Sequence, residues 1–242
     1  MNRQGPNGIG WSDYTFNPVT GCLNNCPYCY ARRMAARFKL SFAPQFHVHK
    51  IWEPLKVKTP SKIFVCSCAE LFGSWVPDQW IQQVLEVTHQ AHWHTFQFLS
   101  KFPDRMVEYD FPMNCWLGVT VTKQEDSVRI TSLARRGNLR FVSFEPLLGR
   151  VDFREEVWDS LGWLIIGPLS LPGGRYRQPE SQWVESILEE AEKHKIPVYM
   201  KRRLIPPLSS ERREEFPKEE SVEGWTGRTS FSIRWSAGTA WN

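Results

Sequence analysis

Six short apolar runs recur along the chain: KIFVCS (62–67), TFQFLS (95–100), CWLGVTV (115–121), LRFVSF (139–144), GWLIIG (162–167) and IPVYMK (196–201). Most are continuously apolar and rich in Val, Ile, Phe and Trp, the pattern of strands covered on both faces. The intervening stretches predict helices over 30–39, 78–92, 103–109, 125–136 and 181–194. In the last of these, Trp183, Ile187, Leu188 and Ala191 share one side at helical spacing. A further strand near Trp11 to Phe16 would open the series.

Alternating strands and helices of this size imply a parallel α/β sheet with right-handed crossovers. Six or seven such units make either a partial TIM-like barrel or a doubly wound sheet. In both, active-site residues belong at the C-terminal ends of the strands and in the loops that follow. The chain changes character after residue 203: PPLSSERREEFPKEE is charged and proline-bearing, and WTGRTSFSIRWSAGTAWN is aromatic and glycine-bearing. The predicted division is a barrel over 1–203 and an extension over 204–242 packed on one end of it.

Composition narrows this picture. With 242 residues and 41% hydrophobic content, the chain can build a substantial core. It holds no run of about 18 apolar residues, so no membrane partner is expected. The N-terminal MNRQGPNGIGW lacks the apolar centre of a signal peptide. The expected location is therefore cytoplasmic, where thiols stay reduced and clustered cysteines point to metal binding or catalysis. A net charge of +4 permits a nucleic-acid partner without requiring one. Twelve tryptophans are expected mostly in the core or lining a pocket.

The candidate chemistry sits in GCLNNCPYCYARRMAARF (21–38), where Cys22, Cys26 and Cys29 fall in a C-x3-C-x2-C spacing just before a predicted helix. A tetrahedral zinc site needs four ligands, usually as two separated pairs. A fully ligated 4Fe–4S cluster also needs four. Three thiolates on one loop leave one iron open, free to bind and polarise a small molecule. The competing reading is a zinc-binding, nucleic-acid-interacting protein without catalysis, its fourth ligand coming from elsewhere. Such modules are usually small, whereas this chain has an α/β core that needs no metal staple.

The three-cysteine spacing, with Tyr28 just before the third, resembles the signature of the radical S-adenosylmethionine (SAM) superfamily. TFNPVTGC, FQFLSKFPDRM, NCWLGVTV, RFVSFEPLLGRV and IPVYMKR are similar to successive blocks of a domain-of-unknown-function branch found in phages and prokaryotes, over roughly residues 10 to 203. One block departs from that pattern: GPLSLPGG (167–174) stands where Gly-Gly-Glu-Ser-Gly is expected.

The resemblance implies a (β/α)6 radical SAM barrel in which Cys22, Cys26 and Cys29 hold a 4Fe–4S cluster. SAM would chelate the fourth iron, and one electron would cleave it to methionine and a 5′-deoxyadenosyl radical that abstracts hydrogen from a substrate. An electron donor of flavodoxin or ferredoxin type is the implied partner, and a nucleic-acid base or nucleotide is a candidate substrate. Tyr28 belongs to the cofactor loop. Lys101, with Ser100 beside it, would pair with the methionyl carboxylate of SAM. Thr120 and Thr122 end a strand where hydroxyls can bond a ribose. Glu70, Ser67 and Glu145 sit where polar groups would meet the SAM amino group or a substrate donor.

Cys66, Cys68 and Cys115 invite a second cluster, but the first two end their strand and the third begins its own. At ~3.3 Å per residue those ends lie roughly 15 Å or more apart in a parallel sheet. HVH (47–49) lacks a third ligand and is expected to be polar loop or strand. Arg32, Arg33, Arg37, Arg202 and Arg203 offer either phosphate contacts or a solvated surface.

Overall fold

The computed structural model of the chain describes residues 1–5, 8–135 and 137–218. Its centre is an eight-stranded sheet curled into a half-barrel. The strands are β1 (Asn2–Arg3), β2 (Tyr14–Phe16), β5 (Lys62–Val65), β6 (Thr95–Ser100), β7 (Cys115–Thr120), β8 (Arg140–Phe144), β9 (Trp163–Ile166) and β12 (Val198–Met200). They lie side by side in that order. From β2 to β12 every pairing is parallel, and β1 caps the β2 edge antiparallel. Sequence order is therefore spatial order, as expected of consecutive right-handed βα units.

Two two-stranded ribbons stand apart from this sheet: β3 (Val19–Thr20) with β4 (Gln45–Phe46), and β10 (Leu169–Ser170) with β11 (Tyr176–Arg177). The helices are α1 (Tyr30–Arg37), α2 (Asp78–Gln90), α3 (Pro103–Met106), α4 (Glu155–Trp158) and α5 (Ser181–Lys193). Among the described residues no helix is long and apolar enough to cross a membrane.

The segment expected as a helix over 125–136 is instead a 3₁₀ stretch, Gln124–Arg135. Its sequence QEDSVRITSLAR explains the difference. Asp, Ser and Thr compete for backbone hydrogen bonds, and Thr131 Oγ1 donates to the Val128 carbonyl at 2.7 Å. The helix expected over 103–109 closes after one turn at Met106.

The two-residue period of a strand sorts the barrel into an outside and an inside. Val142 and Phe144 on β8, Leu164 and Ile166 on β9, and Val198 and Met200 on β12 face outward into the main core beneath the helices. Between them, Phe141, Trp163, Ile165 and Tyr199 face inward and join Trp11 and Trp116 in a second, aromatic cluster. Phe141 fits because its inward neighbour on β7 is Gly118, where a Cβ would lie 2.3 Å from the Phe141 ring. The aromatic cluster fills the lower interior. The same inward positions, continued to the strand ends, become polar.

Beyond β12, Glu215 runs back along the strand: its N–H donates to the Val198 carbonyl, and its carboxylate accepts from the Val198 N–H. The Trp163 indole donates to the Glu215 carbonyl at 2.9 Å. The aromatic tail with Trp225, Trp235 and Trp241 lies outside the described residues.

Candidate metal and substrate cavity

A cavity of about 990 Å³ opens over the C-terminal ends of the strands. Its wall continues the inward register: Leu99 on β6 and Lys101 just past it, Thr120 on β7, Ser143 on β8 and Glu145 just past it, Tyr199 on β12 and Lys201 just past it. Each is two residues past an inward-facing neighbour, so the period that buries aromatic rings below places titratable groups above. Cys22, Cys26 and Cys29 line the same cavity.

The cysteine loop is fixed at both ends. Gly21 has φ +83°, and a Cβ there would lie 2.1 Å from the Ala43 carbonyl oxygen. This is a position for glycine on conformational and steric grounds alike. Gly21 N–H donates to the Cys68 carbonyl and Cys22 N–H to the Phe42 carbonyl, tying the loop to the exit of β5 and to the β3–β4 side. At the far end, Cys29 is the N-cap of α1 and its sulfur accepts from Arg32 N–H at 3.4 Å.

The other two sulfurs also receive donors. Cys22 Sγ accepts from Asn24 N–H at 3.4 Å, and Cys26 Sγ from the Asn24 amide at 3.3 Å. Donors of this kind favour thiolates. All three cysteines are half-buried and none is in a disulfide. Burial pushes the Cys22 thiol up, against the Asn24 N–H that lowers it, and nearby Glu70, Cys26 and Cys29 push it further up. Cationic iron would reverse that repulsion.

Among the described residues, one His/Cys/Asp/Glu triplet has ligating atoms all within 4.8 Å of one another, and it is Glu155, Glu190 and His194. The three cysteine sulfurs are not all within 4.8 Å of one another.

Glu70 is 5% exposed and fully engaged. Its Oε1 accepts from Ser100 Oγ at 2.6 Å and Phe72 N–H at 3.4 Å, and its Oε2 accepts from Lys101 N–H at 2.9 Å. It lines the cavity while bracing the ends of β5 and β6. Ser100 is wholly buried beneath it and does not line the cavity. Lys101 Nζ reaches Thr120 Oγ1 at 3.4 Å. Glu145 and Lys201 form a half-buried ion pair across the wall.

Thr122 does not itself line the cavity: its hydroxyl donates to Asp126 Oδ2 at 2.6 Å, and Asp126 pairs with Arg129 at 2.8 Å. Tyr28 lines the cavity, its phenol pushed up by burial and then by the Cys26 sulfur. Ser67 Oγ donates to Asn17 Oδ1 at 3.1 Å.

Several contributors lay outside the sequence reading. Ser143 Oγ and Trp11 Nε1 are buried on the cavity wall without a hydrogen-bond partner among the described residues. Lys201, which the sequence did not single out, turns inward because it follows Tyr199 by two. GPLSLPGG forms the turn from β10 toward β11, held by Arg33, whose guanidinium donates to the Ser170 carbonyl at 2.9 Å. Leu169, Ser170 and Tyr176 of that ribbon line the cavity. Cys66 and Cys68 also line it, whereas Cys115 is buried at the start of β7. Burial pushes the Cys66 and Cys115 thiols up to about 12. His47 bonds Thr20 Oγ1 at 2.7 Å, at the β3–β4 ribbon.

Residues 6–222 match the family described as protein of unknown function (DUF5131). The chain belongs to the DUF5131 family. No curated protein matches its sequence significantly. This DUF5131 chain resembles the solved structure of spore photoproduct lyase complexed with dinucleoside spore photoproduct, with a TM-score of 0.54 at 12% identity over 78% of this chain and 76% of that one. A mutant of the same lyase aligns over the same shares with a TM-score of 0.54 at 10% identity. These likenesses show a shared half-barrel fold.

Proposed function

We propose that this DUF5131 chain is a radical SAM enzyme. The observation that carries the reading is the cysteine loop: three half-buried sulfurs, each receiving an N–H, facing a cavity at the C-terminal mouth of a parallel half-barrel. Cys22, Cys26 and Cys29 would hold a 4Fe–4S cluster with one iron left for SAM. The bound pair would supply one-electron cleavage of SAM and hydrogen abstraction from a substrate.

The chain's own residues prepare that site. Asn24 and the N-terminus of α1 stabilise the thiolates. Lys101, steadied by Thr120, presents an ammonium to a carboxylate. Glu70 holds the Lys101 backbone in place. The Glu145–Lys201 pair and the unpartnered Ser143 hydroxyl and Trp11 indole offer polar contacts to a ligand within the cavity.

Lys101→Ala is expected to weaken SAM binding by about 1.5–3 kcal/mol, the value of a charge-assisted contact, with iron content unchanged. Calorimetric titration of anaerobically reconstituted protein measures it. Unchanged affinity would remove Lys101 from the SAM site.

The proposed substrate class is a nucleic-acid base or nucleotide, and the electron donor a flavodoxin- or ferredoxin-like protein. Arg203 at the cavity supports the substrate class, as does the dinucleoside bound by the structurally similar lyase. Single-stranded oligonucleotide binding is then expected to weaken with salt by a log–log slope of about −0.7 per phosphate neutralised. Arg203→Glu should flatten that slope. No measurable binding at low salt would move the substrate to a small molecule or peptide.

A further inference from the structure

A second polar cluster lies at the opposite end of the sheet. α4 and α5 each lead into the start of a strand, β9 and β12, so the C-terminal end of α5 lies by the strand starts. There Glu155, Glu190 and His194 bring one ligating atom each within 4.8 Å of one another. None of them lines the cavity.

The imidazole is the informative member. The His194 side chain is 5% exposed, packed against Trp158 with the rings 6.4 Å apart and inclined by 21°. Its Nδ1 lies 2.8 Å from Asp159 Oδ1, so with Nδ1–H donated to that carboxylate, Nε2 is the ring nitrogen left to ligate a metal. Nε2 is buried without a hydrogen-bond partner. It points at two carboxylates, Glu190 Oε2 at 3.4 Å and Glu155 Oε1 at 3.5 Å.

Those distances are long for hydrogen bonds. They match the separation of two ligands on one tetrahedral ion, about 3.3–3.5 Å for metal–ligand bonds of 2.0–2.2 Å. Glu190 and His194 are four apart at the end of α5, so the helix places them on one face. The helix C-terminus adds negative potential there. A carboxylate behind the imidazole, as Asp159 stands here, is the usual support of a metal-bound histidine.

We infer that His194 Nε2, Glu190 and Glu155 form a zinc-type divalent cation site, with Asp159 orienting the imidazole and a fourth position open to water. Imidazole with carboxylates suits Zn²⁺ better than Mg²⁺ or Ca²⁺. The ion would clamp α4 to α5. Its competitor is Lys193, whose ammonium reaches Glu155 Oε2 at 2.8 Å and Glu190 Oε2 at 3.7 Å. That side chain is 54% exposed and can swing into solvent.

Zn²⁺ itself is the probe, in equilibrium dialysis of the full chain against buffered free zinc. The cysteine loop can also take zinc, so the readout is a difference between variants. Wild type is expected to bind one Zn²⁺ more than His194→Ala, whether or not the cysteines carry a cluster. Glu190→Gln, which keeps the packing, should weaken that site at least tenfold, and it decides the matter if His194→Ala fails to fold. Lys193→Ala should tighten the site severalfold by removing the competing ammonium. Equal zinc counts in wild type and His194→Ala, or unchanged affinity in Glu190→Gln, would overturn the site. Unchanged or weaker binding in Lys193→Ala would do the same.

Discussion

Alanine at Cys22, Cys26 or Cys29 is expected to abolish cluster assembly, taking iron from about four per chain to background. The geometry leaves no reserve. Each sulfur has its own N–H donor, from Asn24 or from α1, and three ligands are already the fewest that hold a cluster with one open iron. Cys66 and Cys68 line the same cavity, so substitution by a spare thiol is a real question. Cys66 answers it for itself: its burial pushes the thiol up to about 12, keeping it protonated and a poor ligand at neutral pH. Cys66→Ala and Cys115→Ala should therefore retain full iron. Iron and labile sulfide assays on anaerobically purified variants measure both sides. A loop variant that kept its full iron would contradict the assignment of that cysteine.

Gly21→Ala is expected to damage the site without removing a ligand. Its φ of +83° is strained for any residue with a Cβ, and that Cβ would lie 2.1 Å from the Ala43 oxygen and 2.5 Å from its carbon. Both obstacles are backbone, held by the β3–β4 ribbon, so neither can rotate away. Strain and overpacking together are expected to cost roughly 2–5 kcal/mol. The loop would also lose its anchorage to Cys68 and Phe42, and iron incorporation should fall with stability. Urea unfolding and an iron assay test this. Gly137→Ala, where a Cβ meets nothing within 4 Å, is the control and should change neither. Wild-type stability and iron in Gly21→Ala would show that the loop does not depend on this turn.

The seven parallel strands were legible because strands covered on both faces read as continuous apolar runs. That same continuity hid which residues face inward. Trp163 and Leu164 are both apolar, yet one fills the barrel and the other the helix-side core. For this reason Lys201 was not singled out in the sequence, although it extends the inward register of Tyr199. Ser100 and Thr122 read as strand-end hydroxyls open to a ligand. Whether a hydroxyl is already committed to a neighbouring carboxylate, as both are, depends on contacts 30 and 4 residues away.

The β10–β11 ribbon was illegible for a different reason. Two-residue strands carry no period, and the departure from the family pattern said that this loop differs without saying how. The pairing of Glu155 with His194 was likewise out of reach, since it depends on where α4 begins and α5 ends. The three cysteines could be picked out in advance because their spacing is local, all within one loop and the helix it caps.

The most direct test of the account is one preparation with two readouts. The full chain, purified anaerobically and reconstituted, is assayed for iron, then reduced with dithionite in the presence of SAM. The expected result is about four irons per chain and release of 5′-deoxyadenosine with methionine. A chain that holds a single zinc, takes up no iron and leaves SAM intact would contradict it.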